Sequence, residues 1–409
     1  MNSFTRLLLF FQCILEVILK NESILIADGN SESSETRIKK SILKDIKFKW
    51  TLPIDYRIRN GVDRKTVKAA LAVIEKETCI RFRETIHFKN GGLNYVNKSK
   101  GCSSFTGKVS NNRPQDINLG SSCNKLTIAI HETCHALGMI HEMSRHDRDS
   151  YIKLKFENID GDAIFNFMLF DLSVAIPYGL KYDFGSVMHY DRLAGSVNER
   201  ITMEPKYQNY LTTIGQTTRF GFNDAKQLNI HYCKDKCRGS KLNCKMGGYP
   251  HPNDCRFCKC PAFFTGKLCT KLLPSDKKCG KTSPAFYTGK LCTKLLPSDK
   301  KCGKTRFKSK YTNKLLIVKG IKTCYIKITA PRGRKVQLNI LETNFRNSFV
   351  CQPNKGLEVK FLADKAVSGA MFCGRNFGKV LTSQNNVVVM KYVGLIPYSV
   401  IKIRYRNVT

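Results

Sequence analysis

Residues 131–141 read His-Glu-Thr-Cys-His-Ala-Leu-Gly-Met-Ile-His, a stretch that holds three of the eight histidines in a chain of 409 residues. His131 and His135 are four positions apart, so on one helix they share a face and can aim ring nitrogens at a single metal ion. Thr127 to Ala136 contains neither glycine nor proline to break such a helix. Gly138 can adopt the left-handed conformation that ends a helix, turning the chain so that His141 returns to the same ion. Three imidazoles leave a fourth position for water, as a catalytic zinc requires and a closed structural site does not. Glu132, beside the first ligand, is placed to take that water's proton. Farther along, Gly185-Ser186-Val187-Met188-His189-Tyr190 supplies a turn whose Met188 suits packing beneath the ligands.

The extended spacing His-Glu-x-x-His-x-x-Gly-x-x-His, followed by a methionine turn, is the metzincin signature. HExxHxxGxxHExxRxDRD with a later SxMHY resembles the astacin family of zinc endopeptidases, and the HETCHALGM form is similar to its nematode members. Trp50, Pro53, Ile54 and Tyr56 resemble the family's entry segment, and TCIRF at 78–82 resembles its first disulfide region, so the likeness covers roughly 41–233. The resemblance implies an α+β, two-lobed catalytic domain with a zinc helix and a Met-turn. It also implies one catalytic Zn2+ on His131, His135 and His141, with Glu132 as general base. Tyr190 would be a fifth, switchable ligand whose phenol leaves the metal and stabilises the oxyanion. Met188 and Gly138 take structural roles. Glu142 resembles the family glutamate that receives the new N-terminal ammonium, and cleavage after Lys40 would start the mature chain at Ser41. Family prosegments often carry F-x-G-D; Ala27-Asp28-Gly29 does not match it, so aspartate-based latency is not expected.

Around that centre, Ile54–Ile58 alternates as a strand does, and Val67, Leu71 and Ile74 fall at helical spacing. Leu7–Leu19 is apolar apart from Gln12 and Glu16 and suits a secretory leader, placed at residues 1–26. A short propeptide follows at 27–40, ending in the basic Arg37-Ile38-Lys39-Lys40. Ten of the chain's 18 cysteines fall from Cys233 to Cys302 inclusive, a stretch that must be held by disulfides rather than by a large core. Within it, 261–282 recurs almost unchanged at 284–305, a duplicated linker assigned to 271–301. Short β-rich runs at 315–318, 325–328, 335–340, 387–392 and 400–405 indicate a β-sandwich over 302–409.

The astacin pattern implies the pairs Cys79–Cys233 and Cys102–Cys123. Residues 234–270 resemble an EGF-like module, with probable pairs Cys237–Cys255, Cys244–Cys258 and Cys260–Cys269. Cys302, Cys324, Cys351 and Cys373, with GLEVKF and FCG, resemble a CUB domain. Asn354 and Asn386 stand near positions where calcium-binding members carry acids, so calcium-dependent binding is not expected. Cys279 and Cys292 can pair with each other, Cys13 leaves with the leader, and Cys134 remains as a buried thiol.

The cysteine count argues against a reducing cytosol and, with the leader, points to a secreted, extracellular protein. The net charge of +37 is divided unevenly: residues 41–233 carry 27 basic and 20 acidic side chains, residues 234–409 carry 37 and 7. An acidic polysaccharide is therefore a candidate partner for the C-terminal half, beside extracellular protein substrates of matrix or cuticle type. Nucleic acid is not expected, and no later stretch is apolar enough to span a membrane. Asn97 (NKS) and Asn407 (NVT) are glycosylation sequons. The competing reading is a catalytically silent adhesion protein, which a lost Glu132 or a lost histidine would have favoured; neither is lost.

Overall fold

The computed structural model describes residues 25–28, 42–43, 49–273 and 302–409. Most of the expected leader, the basic processing site, Ser41 and residues 274–301 of the duplicated linker, with Cys279 and Cys292, lie outside the described residues.

The upper lobe is a sheet of six strands: β1 (Leu25–Asp28), β2 (Ile54–Ile58), β3 (Phe82–Glu84), β4 (Leu93–Val96), β5 (Cys102–Phe105) and β6 (Gln115–Leu119). Their spatial order is β1-β5-β6-β4-β2-β3. β2, β3, β4 and β6 run parallel, whereas β5 is antiparallel to β6. β1 adds to the outer edge of β5, with Leu25 opposite Phe105 and Asp28 opposite Cys102. It straddles residue 26, where the leader was expected to end. Helix α1 (Arg64–Glu77) begins where the Asp63 carboxylate accepts the Lys65 N–H at 2.9 Å, and it buries Val67, Ala70, Leu71 and Ile74. That i, i+3, i+4, i+7 stripe is the sequence periodicity made physical. It packs with β2, β4 and β6 and with helix α2 (Leu126–Ala136) in one core.

Beyond Gly138 regular structure becomes sparse. The lower lobe consists of short 3-10 turns, a two-stranded ribbon of β7 (Ile152–Leu154) and β8 (Met203–Pro205), and a closing helix α3 (Phe222–Tyr232). The Cys79–Cys233 disulfide ties the end of α3 back to the end of α1. Cys102–Cys123 fastens β5 to the turn that precedes α2.

Two small ribbons follow, β9 (Tyr249–His251) with β10 (Asp254–Lys259) and β11 (Phe264–Thr265) with β12 (Lys271–Leu272). They are stitched by Cys237–Cys255, Cys244–Cys258 and Cys260–Cys269. Gly248 is required there, since a Cβ would lie 2.7 Å from the Cys269 sulfur. The Leu273 N–H donates to the Phe263 carbonyl at 2.8 Å, so the module runs three residues past its expected end at 270.

The C-terminal sandwich contains β13 (Arg306–Lys308), β14 (Lys314–Lys319), β15 (Lys322–Thr329), β16 (Lys335–Asn344), β17 (Gly356–Lys360), β18 (Ala370–Phe372), β19 (Arg375–Asn376), β20 (Lys379–Thr382), β21 (Val387–Gly394) and β22 (Val400–Val408). One sheet has the order β13-β15-β21-β17-β18; the other has β14-β22-β16-β19, with β20 also on β16. All five β-rich runs read from the sequence fall inside these strands. Disulfides Cys302–Cys324 and Cys351–Cys373 brace the sandwich. β22 shows the alternation of a half-buried strand, with Ile401, Ile403 and Tyr405 inward and Lys402, Arg404 and Arg406 outward. Its Asn407, in the second glycosylation sequon, is buried in the folded chain, while Asn97 is exposed. The sandwich core is continuous with the lower lobe: Tyr182, Phe184, Tyr210 and Ile214 share one apolar cluster with Leu357, Phe361 and Val388. No helix among the described residues is long and apolar enough to cross a membrane.

Candidate metal centre

Helix α2 carries His131 and His135 on its buried side. Its C-terminus closes as a Schellman motif, with the Gly138 N–H on the His135 carbonyl at 2.7 Å and the Met139 N–H on the Cys134 carbonyl at 2.9 Å. Gly138 has φ +98°, a conformation that favours glycine. The remaining end carbonyls are not left bare. Trp50 donates its indole N–H to Ala136 at 2.8 Å, and the Tyr232 hydroxyl donates to Leu137 at 2.9 Å. This turn brings His141 back beneath the helix.

The three rings converge. His141 Nε2 lies 3.2 Å from His131 Nε2 and 3.1 Å from His135 Nε2. His131 Nδ1 faces the Val187 carbonyl and His135 Nδ1 faces the Met139 carbonyl, each at 2.8 Å. A carbonyl only accepts, so both Nδ1 atoms hold the proton and both Nε2 atoms present lone pairs. Lone pairs about 3.3 Å apart are what a tetrahedral zinc with ~2.0–2.1 Å bonds to nitrogen requires. The donor set fits one zinc ion, and among the described residues this is the one group of three or more His, Cys, Asp or Glu side chains that converges in this way.

Glu132 is fully buried next to the first ligand. Met188 is fully buried in the core that includes α2, and its carbonyl accepts the Glu142 N–H at 2.9 Å. The Tyr190 ring lies 4.3 Å from that of His141, centroid to centroid, and meets Phe167 edge-on at 6.1 Å. Glu142 is held by Arg145 at 3.1 Å and by the Asp183 N–H at 2.8 Å. Burial, only partly offset by Arg145, pushes its carboxyl up to about 7.

Sequence reasoning missed the groups that orient this set. Asp224, in the first turn of α3, accepts the Ser186 hydroxyl at 2.6 Å and the Val187 N–H at 3.0 Å, fixing the turn whose carbonyl orients His131. Burial lifts Asp224 to about 6, with Asp183 adding repulsion. An acid at the third position of a helix is a readable cap, but its target 37 residues away in sequence is not.

The family model described as Astacin, a peptidase family, matches residues 42–233. Zinc metalloproteinase nas-34 of Caenorhabditis elegans is 32% identical over 93% of this chain, which spans 60% of that protein's length. Zinc metalloproteinase nas-26 of the same organism is 32% identical, over 80% of this chain and 74% of its own. The chain belongs to the astacin family. Among solved structures, the hatching-enzyme zinc protease HCE-1 of Oryzias latipes is 30% identical, covering 44% of this chain and 89% of its own, with a TM-score of 0.40.

In this astacin chain Ile42 and Leu43, soon after Lys40, are drawn inward. Ile42 is fully buried and bridges Met139, and the Leu43 N–H donates to Gly138 at 3.1 Å. Its partners lie on the turn between the second and third histidines. Cys134, on the zinc helix, is a free buried thiol whose pKa burial raises well above the ordinary value.

Proposed function

We propose that the chain is a secreted zinc-dependent endopeptidase acting on extracellular proteins. The observation that carries this is the convergence of three imidazole Nε2 atoms, two of them fixed in tautomer by backbone carbonyls. His131, His135 and His141 would hold the ion. Zinc bound there acts as a Lewis acid on water and on the scissile carbonyl. Glu132 takes the proton of the attacking water and delivers it to the leaving amine, and its burial keeps that exchange away from bulk solvent. The Tyr190 phenol, beside His141, donates a hydrogen bond to the oxyanion.

β5 offers the substrate an antiparallel edge, and the N–H of Gly107, just past its end, reaches the His135 carbonyl at 2.8 Å. β1 occupies that edge before processing. Removal of the leader would take Leu25 and Ile26 from it, and cleavage after Lys40 would release the rest and place a new ammonium near Glu142, holding that carboxyl ionised. Seven disulfides among the described residues support secretion. The outward cations Lys402, Arg404 and Arg406 on β22 support binding of an acidic polysaccharide.

The test is cleavage of casein or gelatin by the form beginning at Ser41. Activity should vanish with a zinc chelator and fall by about 10²–10⁴ in Glu132→Ala. A folded, processed chain with no chelator-sensitive cleavage overturns the peptidase reading. Retention on heparin should fall when Lys402, Arg404 and Arg406 are changed to glutamate; unchanged elution salt overturns the polysaccharide reading.

A further inference from the structure

We propose that the C-terminal sandwich is a working part of the metal centre: its loop 364–369 holds the Met-turn from behind, and Arg219, Glu358 and Ser368 are positioning residues. The inference rests on the zinc-site reading above.

The contact is direct and buried. The Asp183 carboxylate accepts the Gly185 N–H from its own turn and the Ser368 N–H from the sandwich, both at 3.0 Å on the same oxygen. A Cβ on Gly185 would lie 2.5 Å from the Ser368 Cβ, so the turn needs glycine because the sandwich presses on it. Arg219 makes a two-pronged pair with Glu358 at 3.1 and 3.2 Å and donates to the Ser368 hydroxyl at 3.1 Å. The other Ser368 groups are used as well. Its carbonyl accepts the Tyr210 hydroxyl at 3.1 Å, and the next N–H, of Gly369, donates to Glu358 at 3.0 Å. Thr212 and Thr213 extend the seam to both polar groups of Met371 at 2.8 Å.

From this seam two routes lead to the ligands. Gly185 continues through Ser186 to Val187, whose carbonyl fixes the His131 ring. Asp183 donates its N–H to Glu142, the residue after His141. Partners that orient metal-ligating histidines typically change metal affinity or activity by about 10–100-fold when altered. A seam that only joined two domains would alter thermal stability and leave the zinc affinity of the folded protein unchanged.

The experiment uses the full chain and a double-mutant cycle. Gly185→Ala should push against Ser368, speed zinc release to a chelator by about 10-fold and lower kcat more than KM. Ser368→Gly removes the opposing Cβ, so the double variant should recover most of the zinc affinity. Glu358→Gln keeps the shape but removes the negative charge that faces Arg219, and should weaken zinc retention in the same direction. Wild-type zinc release in folded Gly185→Ala and Glu358→Gln, or a double variant no better than Gly185→Ala, would overturn the proposal. Zinc release is read without substrate, so a protein that binds zinc but cleaves nothing fails the peptidase reading and leaves this one to its own measurement.

Discussion

The two lobes of the catalytic domain place their charges oppositely. In the upper lobe the ion pairs are on the surface: the side chains of Arg64, Arg83 and Lys98 are 54%, 61% and 69% exposed as they meet Glu84, Asp55 and Asp116. In the lower lobe Arg145 and Arg148 are 4% and 6% exposed. The difference follows from the backbone. The upper lobe satisfies its peptide groups with ladders and helices, so its charges are free to stay in water. The lower lobe has few ladders, and guanidinium groups reach inward to carbonyls: Arg145 to Leu180 at 2.8 Å, and Arg148 to Met143 at 3.0 Å. Irregular chain can be buried if charged donors go in with it.

This contrast can be broken at its strongest point. Arg145→Met strands Glu142 without its guanidinium and removes two bonds to Asp147, so denaturant unfolding should show a loss of about 3–5 kcal/mol. Next comes a buried base in the same lobe. His189 donates from Nδ1 to the Tyr190 carbonyl and receives the Tyr182 hydroxyl on Nε2, each at 2.7 Å. Burial lowers its pKa to about 4. The native state therefore refuses a proton that the unfolded chain binds below about 6.5, so this stability is full above that pH and lost as pH falls towards 4. The stability advantage of the wild type over His189→Gln should shrink by on the order of 3 kcal/mol between pH 7 and 4. Arg83→Ala, on the upper surface, should lower stability only slightly in denaturant unfolding, and the difference should vanish in high salt. The smallest effect is expected at Cys134: a thiol reagent should label it only after denaturation, and labelling of the native protein would contradict its burial.

The same contrast explains what could be read from the sequence. Val67, Leu71 and Ile74 announce α1 because a helix must bury one stripe, and Ile401, Ile403 and Tyr405 announce β22 because a half-covered sheet alternates. The ligands were legible because their spacing is local: four residues fit one helical face, and Gly138 marks the turn. Asp183, Asp224 and Ser368 were not legible. Their partners are brought near by the irregular lobe and by a sandwich that begins after a long linker, and no periodicity encodes such meetings. The two small ribbons could be placed only through cysteine spacing, since they have little core.

The central claim is that three imidazoles of the folded, processed protein hold one metal ion with a corner open to water. Metal analysis of the form starting at Ser41 tests it most directly. One zinc per chain is predicted, retained in Glu132→Ala and lost in His135→Ala. An empty site, or one filled by a fourth permanent side chain other than Tyr190, would contradict it.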